Sequence, residues 1–211
     1  DNRPEALTRA LSWDNCALLT NSLKPYACCR HTHAADYCAQ LLRGEHRLEP
    51  EHITRIVDHT YQVAVNTVDN PEPSTPYGYK FSGQYCTAAM LVYGHLGESA
   101  FTPEATSDPR VRRLMDKITL VCDPELEASY QADRNRWAHR LEVTLEDGRV
   151  LTRQVEYPYG DFNNPFTWAY EHEKFHTLAD GVLGPDRVAA LVERLPHLEE
   201  LDDINRLFEG L

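Results

Sequence analysis

The stretch from Trp137 to Tyr157 narrows the fold more than any other. Trp137, Leu141, Val143 and Leu145 share one parity and Arg140, Glu142 and Thr144 the other; Asp147-Gly148 follows, and Val150 to Tyr157 returns. Period-two alternation closed by Asp-Gly predicts an antiparallel hairpin with one buried and one wet face. A sheet with one apolar face has to be covered by something. Phe81 to Leu96 is apolar nearly all round (Tyr85, Ala88, Ala89, Leu91, Val92, Leu96), with Ser82 as its N-cap. Such a segment reads as a buried helix.

Further elements follow the same logic. A helix opens at Thr32, carries Ala34, Ala35, Cys38, Leu41 and Leu42 at helical spacing, and is expected to close near Arg43-Gly44. Ile53, Val57, Tyr61, Val63 and Val65 alternate with Thr54, Asp58, Thr60, Gln62 and Asn66, so residues 53–68 read as one long strand of an antiparallel sheet. The proline-rich run Asn70 to Gly78 reads as a loop. Asp108-Pro109 caps a short helix with Val111, Leu114 and Met115, and Ile118 to Cys122 is a short strand. Beyond Thr167, helical spacing recurs at Trp168 to Val182, Val188 to Leu195 and Leu201 to Phe208.

The expected architecture is therefore α+β: a small antiparallel sheet with packed helices, then a C-terminal helical segment. Residues 1–21 read as the end of a preceding helical region (Ala6, Leu7, Ala10, Leu11) and a connector, residues 22–165 as the α+β part, and residues 166–211 as the helical tail. The first residue is Asp1 rather than Met, so the chain is expected to be processed or cut from a longer protein.

A chain of 211 residues buries one good core. Its net charge of −12 opposes nucleic acid as a partner, because phosphate binding wants a basic face. No run approaches the roughly 18 apolar residues of a membrane span. The six cysteines are irregularly spaced, which points to reduced thiols and a cytoplasmic location rather than a disulfide framework.

Against this acidic background, Leu23 to Asp36 gathers Lys24, Arg30, His31 and His33 at the entry of a helix, with Cys28 and Cys29 adjacent. Pro25 biases Lys24 towards extended backbone. Cations together with helix-start N–H groups suit a carboxylate or phosphate ligand. Lys24 would hold a carboxylate, with Arg30 beside it; either histidine would carry a proton near neutral pH. Adjacent cysteines do not easily share one metal, and no second Cys-x-x-Cys pair falls at zinc spacing. His172 and His176 share a helix face beside Glu173, a weak metal candidate that is set aside. The expectation is no metal and no other cofactor.

Two segments carry a family resemblance: Lys24-Pro25-Tyr26 with Cys29, Arg30, Thr32, His33 and Asp36, and Lys80-Phe81-Ser82-Gly83-Gln84-Tyr85-Cys86-Thr87-Ala88-Ala89. Together they resemble the C-terminal half of the MmgE/PrpD family, which includes 2-methylcitrate dehydratase, cis-aconitate decarboxylase and iminodisuccinate epimerase. The resemblance implies a lid-type α+β domain working with a helical domain ahead of it, an enzyme free of cofactors, a small di- or tricarboxylate substrate, and a homodimer. It implies catalytic roles for Lys24 and Tyr85, expected to face each other across a pocket, with His33 as a further proton carrier. Arg30, Cys29, His31 and Gln84 are the expected substrate contacts. The decarboxylase branch has histidine five residues after the lysine; Cys29 stands there in this chain. Dehydration is accordingly the expected reaction. The Gly160-Asp161 to Asn164-Pro165 stretch also resembles the family, with a structural role.

Overall fold

The computed structural model describes residues 16–209; the helix expected over Glu5 to Leu11 lies outside them. By contact, the described residues up to Pro165 and those from Phe166 onward form two compact units.

In the first unit, α1 (His33–His46) is followed by β1 (Ile53–Thr60), α2 (Gln62–Val68), α3 (Pro76–Lys80) and α4 (Gly83–Tyr93). Then come α5 (Pro103–Thr106), α6 (Pro109–Met115), β2 (Ile118–Cys122), α7 (Pro124–Ala132), β3 (His139–Leu145) and β4 (Val150–Val155). The sheet order is β2-β1-β3-β4. The β3–β4 hairpin forms as expected, with Gly148 at φ +85° in its turn. That positive φ is what glycine accepts without steric cost.

The sheet is mixed rather than antiparallel throughout: β1 pairs antiparallel with β3 and parallel with β2. Residues 61–117, which hold α2 to α6, make the crossover that a parallel pair requires. Helices α1, α4 and α6 pack together, and α1 and α4 also rest on the sheet. Their buried side chains, among them Ala35, Cys38, Leu42, Met90 and Leu114, meet Ile56, Leu141 and Val143 in one core.

Four local expectations are corrected. The strand from Ile53 stops at Thr60, and Gln62–Val68 coils into α2 with Ala64 and Val68 buried four residues apart. The alternation of residues 61–68 therefore belongs to a helix. Within β1 a register shift between Ile53 and Arg55 flips the parity, so Ile56, Asp58 and Thr60 turn inward. Helix α1 runs through Gly44 to His46, ending where Arg47 adopts the left-handed conformation at φ 49°. The proline-rich loop already turns helical at Pro76, capped by the Thr75 hydroxyl, which accepts from the Gly78 amide. Helix α7, absent from the expected elements, starts at Asp123-Pro124, where the Asp123 carboxylate accepts from the Glu125 and Leu126 amides.

In the second unit, α8 (Trp168–Leu183), capped by Thr167, packs against α9 (Pro185–Arg194). Two 3-10 turns follow, Leu195–Glu200 and Ile204–Phe208, and Val188, Leu191 and Leu207 are buried.

The parity flip places polar groups in the core. His139 Nδ1 lies 2.7 Å from Asp58 Oδ1 and its Nε2 3.0 Å from Thr60 Oγ1, all three residues being buried. Removing one partner strands the other. His139→Phe is expected to lower the urea unfolding free energy by about 3 kcal/mol, and Asp58→Leu combined with His139→Phe to recover most of it. No recovery in the double variant would mean the pair holds this place for another reason.

Candidate active site

The Lys24 segment is strapped down by its backbone. The Leu23 amide donates to the Gly160 carbonyl, the Ala27 amide to Leu96 and the Cys29 amide to Lys80, each at 2.8 Å. Three remote stretches thus fix seven residues, which a loop carrying a functional side chain needs. Arg30 supports the same segment. Its Nη2 pairs with Asp161 Oδ2 at 3.0 Å, its Nη1 donates to the Leu23 carbonyl at 3.1 Å, and its guanidinium lies over the Trp137 ring. Ser22 also donates to Asp161, at 2.8 Å. The Gly160-Asp161 stretch is thereby a clamp on the chain entering the motif.

Lys24 is exposed, and its Nζ donates to the Cys28 carbonyl at 3.0 Å. No carboxylate partners it among the described residues, whereas Lys80 is paired with Glu98 and Arg30 with Asp161. Its ammonium is the cation of the motif left open to an anion. His31 is half-buried, stacked on Trp137 (centroids 4.5 Å apart), with Nδ1 2.7 Å from the Tyr61 hydroxyl. Burial, aided by the charge of His139, pushes its imidazole down to about 4. At neutral pH it is an uncharged ring able to accept a proton. Cys29 is buried beside this group, and burial pushes its thiol up.

The remaining expected residues lie inward. His33 is fully buried, its Nε2 3.4 Å from the Cys28 carbonyl and its ring edge-on to Tyr26. Gln84 is buried and bridges Asp69, to which Nε2 donates at 2.6 Å, and the Asn70 amide, which donates to Oε1. Tyr85 was expected to face Lys24 across a pocket; it is instead sealed in the core at 0% exposure, its hydroxyl donating to the Ala100 carbonyl, with Tyr79 and Phe101 around it. Ser82 caps α4, as expected, its hydroxyl accepting from the Tyr85 amide. Among the expected residues, then, Arg30 and His31 come together on Trp137 and Lys24 lies exposed on the same loop, while Tyr85, Gln84 and His33 are buried.

Tyr61 and Trp137 were missed as partners of His31. Tyr61 falls in the alternation that predicts a strand, and no spacing links either residue to His31 in sequence. Thr32 stands at the N-cap position, but its hydroxyl makes no capping bond and lies 2.7 Å from Asp36 Oδ2. On α8, His172, Glu173 and His176 fall at the His-Glu-x-x-His spacing of zinc peptidases. His176 Nδ1 is bonded to Asp180 at 3.0 Å, and no third ligand atom joins the two histidines among the described residues.

Residues 26–197 match the MmgE/PrpD C-terminal domain, and the chain belongs to the MmgE/PrpD family. It is 32% identical over 136 residues to a mitochondrial 2-methylcitrate dehydratase of Yarrowia lipolytica, covering 62% of this chain and 26% of that protein. It is 35% identical over 111 residues to a 2-methylcitrate dehydratase of Cupriavidus necator, covering 51% of this chain and 23% of the other. It is 28% identical over 206 residues to a cis-aconitate decarboxylase of Aspergillus terreus, covering 91% of this chain and 40% of that one. The matched part is less than half the length of each of these relatives. No helix of the described residues is long and apolar enough to cross a membrane.

The His31 environment has a pH signature. Its folded value of about 4 lies below the ordinary 6.5, so the unfolded chain takes up a proton first as pH falls. Stability is expected to drop between pH 6.5 and 4 from this group. His31→Gln should flatten that part of the urea-midpoint profile, and an unchanged slope would show that His31 protonates freely in the folded protein.

Proposed function

We propose that this chain is the C-terminal domain of a lyase acting on a small di- or tricarboxylate, a hydro-lyase of the 2-methylcitrate dehydratase kind, with Lys24 holding a substrate carboxylate. The observation that carries this reading is the open ammonium of Lys24 on a clamped loop, inside a chain whose residues 26–197 match the family domain. The dehydratases among its relatives favour dehydration over the other family reactions, as does Cys29 in the position where the decarboxylase branch resembled above carries histidine.

The chemistry follows from charge. Removing a proton alpha to a carboxylate builds negative charge on that carboxylate as an enolate forms. A fixed cation attracts this growing charge more strongly than the ground state, which is how rate is gained. Lys24 supplies the cation. A histidine of the motif, His31 or His33, would carry the proton. Arg30, spent on Asp161, positions the loop rather than the substrate. Tyr85 and Gln84 support the core beneath, and His33 sits against the Cys28 carbonyl that Lys24 also uses.

The test is an activity screen of the enzyme that contains this domain, with 2-methylcitrate, citrate, cis-aconitate and iminodisuccinate, following alkene absorbance, CO2 release and chirality. Lys24→Ala is expected to cut kcat/KM on the accepted substrate by about 100-fold or more; equal turnover removes Lys24 from the mechanism. The 211-residue chain alone is expected to bind citrate-like anions without turning them over. Binding retained with no turnover in the longer enzyme would favour a carboxylate-binding module instead.

A further inference from the structure

Beneath the Lys24 loop lies a second cluster that the proposed reaction does not use. Cys28 comes from the loop, Asp36 from the first turn of α1 and Cys86 from α4, all buried, and their Sγ, carboxylate and Sγ atoms lie within 4.8 Å of one another. The Thr32 hydroxyl is beside them, 3.2 Å from Cys28 Sγ and 2.7 Å from Asp36 Oδ2. Two buried polar atoms here have no hydrogen-bond partner: Asp36 Oδ1 in the cluster itself and Nδ1 of the adjoining His33. Buried polar atoms are nearly always satisfied, so a stranded oxygen on a carboxylate that adjoins two thiols asks for a ligand.

We propose that Cys28, Cys86 and Asp36 form a binding site for a thiophilic divalent cation of the zinc type, with the Thr32 hydroxyl next to the fourth position. Two sulfurs and one carboxylate select zinc-like ions over magnesium or calcium, which prefer all-oxygen shells. Zinc bonds of about 2.3 Å to sulfur and about 2.0–2.2 Å to oxygen fit a Cys28 Sγ to Asp36 Oδ2 separation that is already 3.6 Å. On binding, the cation takes the place of the protons still held on the thiols and on Asp36, and these leave to solvent. No electron transfer is involved.

The site also bears on the loop above it. The Cys28 carbonyl accepts from Lys24 Nζ, so a cation on the Cys28 sulfur would pin the peptide that orients the lysine. Sequence spacing could not reveal the cluster, because Cys86 arrives from a different helix and the adjacent Cys29 makes its own contacts elsewhere.

Cobalt is the probe, since tetrahedral thiolate coordination gives a near-ultraviolet charge-transfer band and visible ligand-field bands. The full chain, titrated both as folded and after refolding with Co2+, is expected to take up one equivalent with both signals. Zn2+ should displace it and raise the thermal midpoint. Cys86→Ser and Cys28→Ser should each abolish the bands, while Cys29→Ser and Cys122→Ser keep them. A wild-type chain showing no thiolate–cobalt band under either condition overturns the proposal, whether or not the variants fold. Bands that survive both Cys28→Ser and Cys86→Ser do the same, as does a mass short of two hydrogens with no metal, which would mean the thiols pair as a disulfide. None of these readouts is an enzyme rate, so the carboxylate reading can fail while this one stands.

Discussion

Asp36 is a carboxyl group sealed under the first turn of α1, and the chain around the candidate site is arranged to accommodate it. Burial, with the adjacent Cys28 adding to it, pushes this acid well above the ordinary carboxylate range, while the Thr32 hydroxyl pulls the other way. A buried acid in an apolar setting costs several kcal/mol unless polar neighbours meet it. Here the neighbours are Thr32 and the Cys28 thiol, one at the helix start and one in the loop before it. Satisfying Asp36 therefore sets the entry path into α1, and that path carries Lys24 outward and His33 inward.

The second constraint is the clamp at Asp161. Its carboxylate receives both Arg30 and Ser22, and the Gly160 carbonyl receives the Leu23 amide. A cation that looked like a ligand for substrate is consumed in holding the loop. Lys24 remains open because no acid of the described first unit reaches it. The distinction between the two cations is thus one of partner geometry, with both residue types equally suited to binding a carboxylate.

Aromatic packing supplies the rest of the local environment. Trp137, just before β3, stacks on His31 and underlies Arg30, and Tyr61, just after β1, reaches the same imidazole. The sheet brings these positions together by pairing β1 with β3. The same pairing, shifted by the bulge near Ile53, turns Asp58 inward against His139. A single irregularity of register thus decides which polar side chains of β1 are core and which are surface.

The amino-acid sequence by itself determined the element types that rest on local chemistry. These are the Asp147-Gly148 hairpin, the Ser82, Asp108 and Thr167 caps, the apolar helix over Tyr85, and the family membership carried by Lys24-Pro25-Tyr26 and its companions. Each depends on neighbours a few residues apart, so the pattern survives without the fold. Tertiary structure alone decided the parallel β1–β2 pair, the bulge that flips Asp58, the capture of Arg30 by Asp161, the burial of Tyr85 against Ala100, and the meeting of Cys28 with Cys86. Those depend on groups far apart in the chain. Whether an arginine or a tyrosine serves a substrate or the scaffold is settled by which distant carboxylate or carbonyl the fold delivers to it.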